Sequence, residues 1–141
     1  MRRIALIVGL TLVVSVVAAS TGNLTIAVGQ VGSILPATLT PTGTTQTVDW
    51  NDSNVQKIDL ESATGDVTLT LSNPISGFSY ALEIQQDGAG GARNIIWPAA
   101  VTWQGGVAPV ITTANDAIDV VSCMYVGTSY RCDRGAAYAV P

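Results

Sequence analysis

The stretch AIDVVSCMYVGTSYRC, residues 117–132, predicts a β-hairpin with a defined register. A two-residue turn at Gly127-Thr128 puts Gly first, as a type II′ turn prefers. Pairing outward from that turn places Cys123 directly opposite Cys132, at a non-hydrogen-bonded site where Cα atoms approach to about 4.5 Å. That separation lies within the range a disulfide accepts. The sequence therefore predicts a Cys123–Cys132 bridge, with two reduced and buried cysteines as the alternative.

The strand that enters this hairpin is apolar along nearly its whole length. Residues 117–126 contain only Asp119 and Ser122 as polar interruptions. A continuous apolar run is typical of a central strand that is covered on both faces. On the hairpin itself, Tyr125 and Tyr130 fall opposite one another on the same face as the bridge, so we expect an aromatic cross-strand contact there.

Strands with a period of two extend outward from the hairpin along the chain. In residues 66–72, Val67, Leu69 and Leu71 alternate with hydroxyl side chains, the pattern of a half-buried strand. Fourteen glycines and six prolines separate such short runs, and 48% of the residues are hydrophobic against 11% charged. These features predict an all-β fold: a single antiparallel β-sandwich, jelly-roll-like, over residues 46–141.

The N-terminus has the pattern of a targeting or anchoring segment. Met1-Arg2-Arg3 is basic, residues 4–17 are uncharged and apolar, and small residues end at Ala19. This pattern predicts a signal peptide or a hydrophobic anchor over residues 1–20, so that the protein is exported or membrane-anchored. Residues 21–45 are rich in Gly, Pro and Thr and are interpreted as an extended linker or an edge strand able to complete a neighbour's sheet.

The composition excludes several kinds of chemistry. The chain has no histidine, so a Ser-His-Asp or Cys-His nucleophile is impossible within one chain. Two cysteines without histidine do not make an ordinary structural zinc site. Six basic residues face ten acidic ones, a balance that disfavours nucleic-acid binding. We therefore expect no enzyme activity, no cofactor and no nucleic-acid partner.

Two pairs of side chains remain as candidate sites. Asp116 and Asp119 form a weak candidate for Ca²⁺, since carboxylates are its preferred ligands, although a hydrogen-bonded turn is the more ordinary interpretation. Trp97 and Trp103 are six residues apart and are candidates for a sugar-stacking face, a subunit interface or the core.

The order of motifs between Thr47 and Tyr138 resembles a small β-sandwich domain of tailed-bacteriophage virion proteins, found in tail fibres, baseplates and head decorations. The resemblance is carried by DVTLTLSNP (66–74), by YALEIQQDGAGGARNIIWP (80–98) and by VTWQGGVAPVITTANDAIDVVSCMYVGTSY (101–130). It implies a receptor-facing or capsid-facing binding module, usually trimeric, without enzyme activity. A hydrophobic leader and a cysteine pair depart from that pattern.

The combined expectation is a structural and binding subunit of a virion that associates with itself as a trimer or filament. Other virion proteins or a host-surface glycan are further expected partners, and Trp97, Trp103, Tyr125 and Tyr130 are the candidate interface residues. The alternative is a secreted cell-surface or pilus-like filament subunit that polymerises by β-strand donation.

Overall fold

The computed structural model describes residues 37–89 and 91–138. This part of the chain is all-β, which confirms the predicted class, and it contains one short 3-10 turn at Gln104–Gly106. No helix in it is long and apolar enough to cross a bilayer. The strands are β1 (Ala37–Leu39), β2 (Thr45–Asp49), β3 (Val55–Asp59), β4 (Val67–Ser72), β5 (Ser79–Gln85), β6 (Ile95–Ile96), β7 (Val101–Trp103), β8 (Ile118–Val126) and β9 (Ser129–Tyr138).

The first six strands alternate between two sheets. The wider sheet has the order β1-β3-β5-β8-β9-β7, and the narrower one has the order β2-β4-β6. The chain thus gives one strand to each sheet in three successive coils, the winding of a β-solenoid. Along β1-β3-β5 and β2-β4-β6 the pairing is parallel, as it is between β7 and β9. Only β5-β8 and β8-β9 are antiparallel among the described strands.

The predicted antiparallel arrangement is therefore wrong for most strand pairs. Alternation of apolar and polar residues specifies which side of a strand is buried, and it is identical for parallel and antiparallel neighbours. The coils also differ in length: Ala37 pairs with Gln56, whereas Val55 pairs with Ala81. Because the coils are unequal, a solenoid of this kind leaves no sequence repeat.

The core lies between the inner faces of the two sheets. The narrower sheet contributes Val48, Val67 and Leu69, all buried, while its hydroxyl-bearing neighbours Thr68 and Thr70 are exposed. The wider sheet contributes the buried side chains Ile58, Tyr80, Leu82, Ile84, Val121, Cys123, Tyr130 and Cys132. The period-2 pattern that predicted half-buried strands thus sets the inward faces of both sheets.

The described fold begins upstream of the predicted domain boundary at residue 46. Strand β1 and the start of β2 lie within the stretch interpreted as a linker or edge strand, and β1 occupies an edge of the wider sheet. The predicted signal or anchor at residues 1–20, and residues 21–36 of the linker, lie outside the described residues.

Candidate assembly surface

The hairpin of β8 and β9 has the register that its turn predicts. Cys123 pairs with Cys132, and the two are joined by a disulfide with a Cα–Cα distance of 4.1 Å. Gly127 has a φ of +66°, whereas Thr128 has no positive φ, as expected for a type II′ turn with Gly first. Both cysteines are buried, so the bridge lies in the core.

The two hairpin tyrosines have different surroundings. Tyr125 and Tyr130 are paired with ring centroids 4.6 Å apart. Tyr130 is only 2% exposed, and its hydroxyl accepts a 2.9 Å hydrogen bond from Trp50 Nε1. Burial raises the pKa of Tyr130 to about 12. Tyr130 is therefore a core residue, which corrects its assignment as a binding residue, while Tyr125 remains partly exposed.

Trp97 and Trp103 meet each other, edge to face. Their ring centroids are 4.9 Å apart and their planes are inclined by 72°. Both rings are partly buried and pack against the core. Among the described residues, Trp97 Nε1 has no hydrogen-bond acceptor. Because the two rings are nearly perpendicular, they form an aromatic corner and do not make one flat stacking platform.

Asp116 and Asp119, the calcium candidates, are engaged differently. Asp119 is fully buried; its carboxylate accepts hydrogen bonds from the backbone N–H and the hydroxyl of Thr112 and lies 3.5 Å from Arg134 Nη1. Asp116 is exposed in a turn, with a φ of +57°. The described residues contain no cluster of three or more potential metal ligands. The structure thus places Asp119 in a core ion pair, and the calcium interpretation has no support from it.

The outward side of the wider sheet, here called the outer face, carries the side chains that alternate with the core. Its central part comes from strands β3, β5, β8 and β9, which pair in the register Val55-Ala81-Ser122-Asp133. No described element covers this register row: Val55, Ser122 and Asp133 are exposed and Ala81 is partly so. On these four strands the outer face consists of Val55, Lys57, Asp59, Ser79, Ala81, Glu83, Gln85, Ile118, Val120, Ser122, Met124, Val126, Ser129, Arg131 and Asp133.

The outer face is concave at its centre. Ala81 and Ser122 are paired and form a floor of small side chains. Val55 and Met124, 39% and 44% exposed, rise beside them around a groove of about 450 Å³. An adjoining groove of about 430 Å³ shares Ser122 and is lined by Trp103 as well as by the charged side chains of Arg131 and Asp133. Small residues flanked by larger ones therefore give this face depressions and projections.

Charged residues on the outer face fall into two groups. Lys57 Nζ lies 3.7 Å from the carboxylate of Glu83 and also donates a hydrogen bond to Gln85. Arg131 and Asp133 form no ion pair within the described residues. One Asp133 oxygen accepts a hydrogen bond from the backbone of Arg134. Asp59, at the end of β3, likewise forms no ion pair within the described residues and accepts a hydrogen bond from the backbone of Glu61. The outer face therefore carries one basic side chain, Arg131, and two acidic ones, Asp59 and Asp133, that have no ion-pair partner in the described part of the chain.

Sequence reasoning missed the outer face as a site. The apolar run of residues 117–126 predicted a strand covered on both faces, and β8 is indeed central in its sheet. Its outward side chains Met124 and Val126 are nevertheless 44% and 38% exposed. The sequence feature that could have indicated this face is the apolar run itself, because it provides apolar side chains for both faces of β8. Within the described chain only one of those faces is covered.

Comparisons of the chain with known protein families, with curated proteins and with solved structures find no match.

Proposed function

We propose that this chain is a non-enzymatic structural and binding subunit of an extracellular assembly, a bacteriophage virion protein of the tail-fibre, spike or capsid-decoration type that forms a homo-oligomer. The observation that carries the proposal is the outer face, which no described element covers, above a disulfide-closed hairpin. Exposed apolar side chains grouped on one sheet face favour protein contact. The Cys123–Cys132 disulfide joins two strands of the same sheet directly beneath that face.

The disulfide supports display outside the cell. Such bonds form and persist in oxidising surroundings. The Cys123–Cys132 bond lies in the core, where it constrains the two longest strands, β8 and β9. A bridge at this position strengthens a domain that must survive outside a cell.

The segment that is most distinctive of the phage resemblance contains two tryptophans that pack into the fold. Trp97 and Trp103, from the two halves of that segment, pack together against the core. They therefore serve the fold, and binding is assigned to the outer face. The sandwich organisation that the resemblance implies belongs to the proposal, supported by two sheets around one core.

The test is to locate the protein in its natural source. Antibodies against the domain would be used on density-gradient fractions of virions, on surface filaments and on cell-free medium, with intact mass to show whether residues 1–19 are removed. We expect the protein to sediment with virions and antibodies to label them in electron micrographs. Recovery only from filaments or medium would refute the virion proposal.

The second candidate is a secreted cell-surface or pilus-like filament subunit that polymerises by strand donation. It is favoured by β1, a three-residue edge strand that pairs only with β3 among the described strands. An edge strand has unpaired backbone N–H and C=O groups that a donated strand can pair with. Polymers that resist detergent and break up when residues 23–36, which precede β1, are deleted would support this candidate.

A further inference from the structure

We propose that the outer face binds the outer face of a second copy of this chain, about a two-fold axis that crosses β5, β8 and β9 above the Cys123–Cys132 pair. The inference rests on the proposed function, since it names the partner of the same surface. It adds the symmetry of the contact and the residues that form it.

Within the described ranges of the chain, no element covers the outward side of β8. Val120, Met124 and Val126 point outward from the central strand β8. The buried side chains of that strand, Asp119, Val121 and Cys123, point to the opposite side. Burying apolar surface is favourable in proportion to the area removed from water. A second sheet packed about 10 Å away would bury these side chains as the core buries their neighbours.

The register arranges the outward side chains in rows across the strands. Two adjacent rows lie on either side of the Cys123–Cys132 pair. One row contains Ser79, Met124 and Arg131, and the other contains Ala81, Ser122 and Asp133. In an isologous contact, a two-fold axis between these rows brings each row of one copy opposite the other row of its partner.

The two rows that face each other across the axis are complementary in shape. Met124 projects from one row, while the other row offers the small residues Ala81 and Ser122. Across the axis, the thioether of Met124 enters the depression above Ser122 of the partner subunit, and the reverse contact forms by symmetry. The next rows outward place Val120 opposite Val126 of the partner subunit.

The same two rows are also complementary in charge. Arg131 comes to lie opposite Asp133 of the partner subunit, and Asp133 opposite the partner's Arg131. Neither side chain has an ion pair within the described part of its own chain. Lys57 and Glu83, on the adjacent strands, already neutralise each other. A single two-fold axis therefore gives Arg131 and Asp133 of each copy an oppositely charged neighbour, so the dimer contains two such pairs.

Charge also favours a second copy over an anionic partner or a membrane. The outer face carries two basic side chains, Lys57 and Arg131, against three acidic ones, Asp59, Glu83 and Asp133, so its net charge is slightly negative. Six strands about 4.8 Å apart, with β5 seven residues long, give the face an area on the order of 550 Å². Stable interfaces use about 800 Å² per partner. We therefore expect a dimer that depends on protein concentration.

The experiment measures the mass of the full chain by light scattering and sedimentation across the micromolar range, under non-reducing conditions. Arg131→Asp and Asp133→Arg each place like charges opposite one another twice in the dimer, and each should weaken dimerisation at least about tenfold. The double variant Arg131→Asp/Asp133→Arg exchanges the charges and should restore the dimer. Glu61→Arg, which makes the same charge change as Asp133→Arg at an exposed turn, is the control.

Arg131 and Asp133 also lie two residues apart on the same face of β9, so each single variant must first unfold in denaturant like the wild type. Rescue of the dimer by the double variant then supports the two-fold contact. A wild-type chain that stays monomeric, or single variants that dimerise normally, would overturn the proposal. So would a trimer, or a double variant as weak as either single one. None of these outcomes bears on whether the protein sediments with virions, and a trimer would overturn the two-fold contact while keeping the homo-oligomer of the proposed function.

Discussion

The indole Nε1 of Trp50 donates a 2.9 Å hydrogen bond to the hydroxyl of Tyr130, a residue 80 positions away in the sequence. Trp50 directly follows β2 of the narrower sheet, and Tyr130 belongs to β9 of the wider one. The Trp50 ring also packs on Tyr80, with centroids 4.4 Å apart. This buried contact joins the two sheets beneath the disulfide hairpin.

Replacing Tyr130 by Phe should lower the free energy of unfolding by about 1–3 kcal/mol, because a buried donor loses its acceptor while the ring volume is kept. Urea unfolding of the oxidised protein, followed by tryptophan fluorescence, measures the change. Tyr125→Phe is the matched control: its hydroxyl makes no hydrogen bond within the described residues. We expect it to differ from wild type by less than about 0.5 kcal/mol. Equal effects of the two variants would contradict this role of Tyr130.

The raised pKa of Tyr130 predicts a loss of stability in alkali. Burial raises it from 10.0 to about 12, so the unfolded chain releases this proton before the folded one does. Stability from this group is complete below about pH 10 and falls by about 1.4 kcal/mol per pH unit as the pH rises toward 12. Unfolding free energies of wild type and Tyr130→Phe, measured across this range, should converge as the pH increases. Parallel pH profiles would show that Tyr130 does not control this loss.

Removing the disulfide should cost about 2–3 kcal/mol, the range for a short loop. The variant Cys123→Ala/Cys132→Ala tests this by denaturant unfolding. Reductant should destabilise the wild type by a similar amount and leave the variant unchanged. Since the bridge lies beneath the outer face, the variant should still dimerise wherever it is folded. An unfolding free energy independent of reductant would mean that the bond adds no stability.

Replacing Asp119 by Ala should destabilise the fold by about 3–5 kcal/mol, since it leaves Arg134 without its buried partner and removes two acceptor contacts with Thr112. Asp116→Asn keeps a residue that tolerates positive φ and should change stability by less than about 0.5 kcal/mol. Calcium should stabilise neither the wild type nor these variants. A calcium-dependent rise in the melting temperature that disappears in Asp119→Ala would contradict the structural role given to this carboxylate.

Sequence patterns predicted the burial of some side chains correctly and of others wrongly. Val67 and Leu69 were predicted to point inward and do so, because a strand's period of two follows from backbone geometry alone. Tyr130 was expected at an interface but is buried, because a tyrosine on a hairpin has the same sequence pattern whether another sheet covers it or not. Asp119 interrupts an apolar run in the sequence, and its partner Arg134 is brought beside it only by the pairing of β8 with β9.

The sequence by itself determined the hairpin, from the Gly127-Thr128 turn to the pairing of Cys123 with Cys132, since every constraint lies within ten consecutive residues. Only the tertiary structure decided that β1, β3 and β5 run parallel, as do β2, β4 and β6. Parallel neighbours come from successive coils, and local alternation contains no information on which distant strand lies alongside. The outer face follows from the same winding, because the described coils enclose one side of the wider sheet and no described element covers the other.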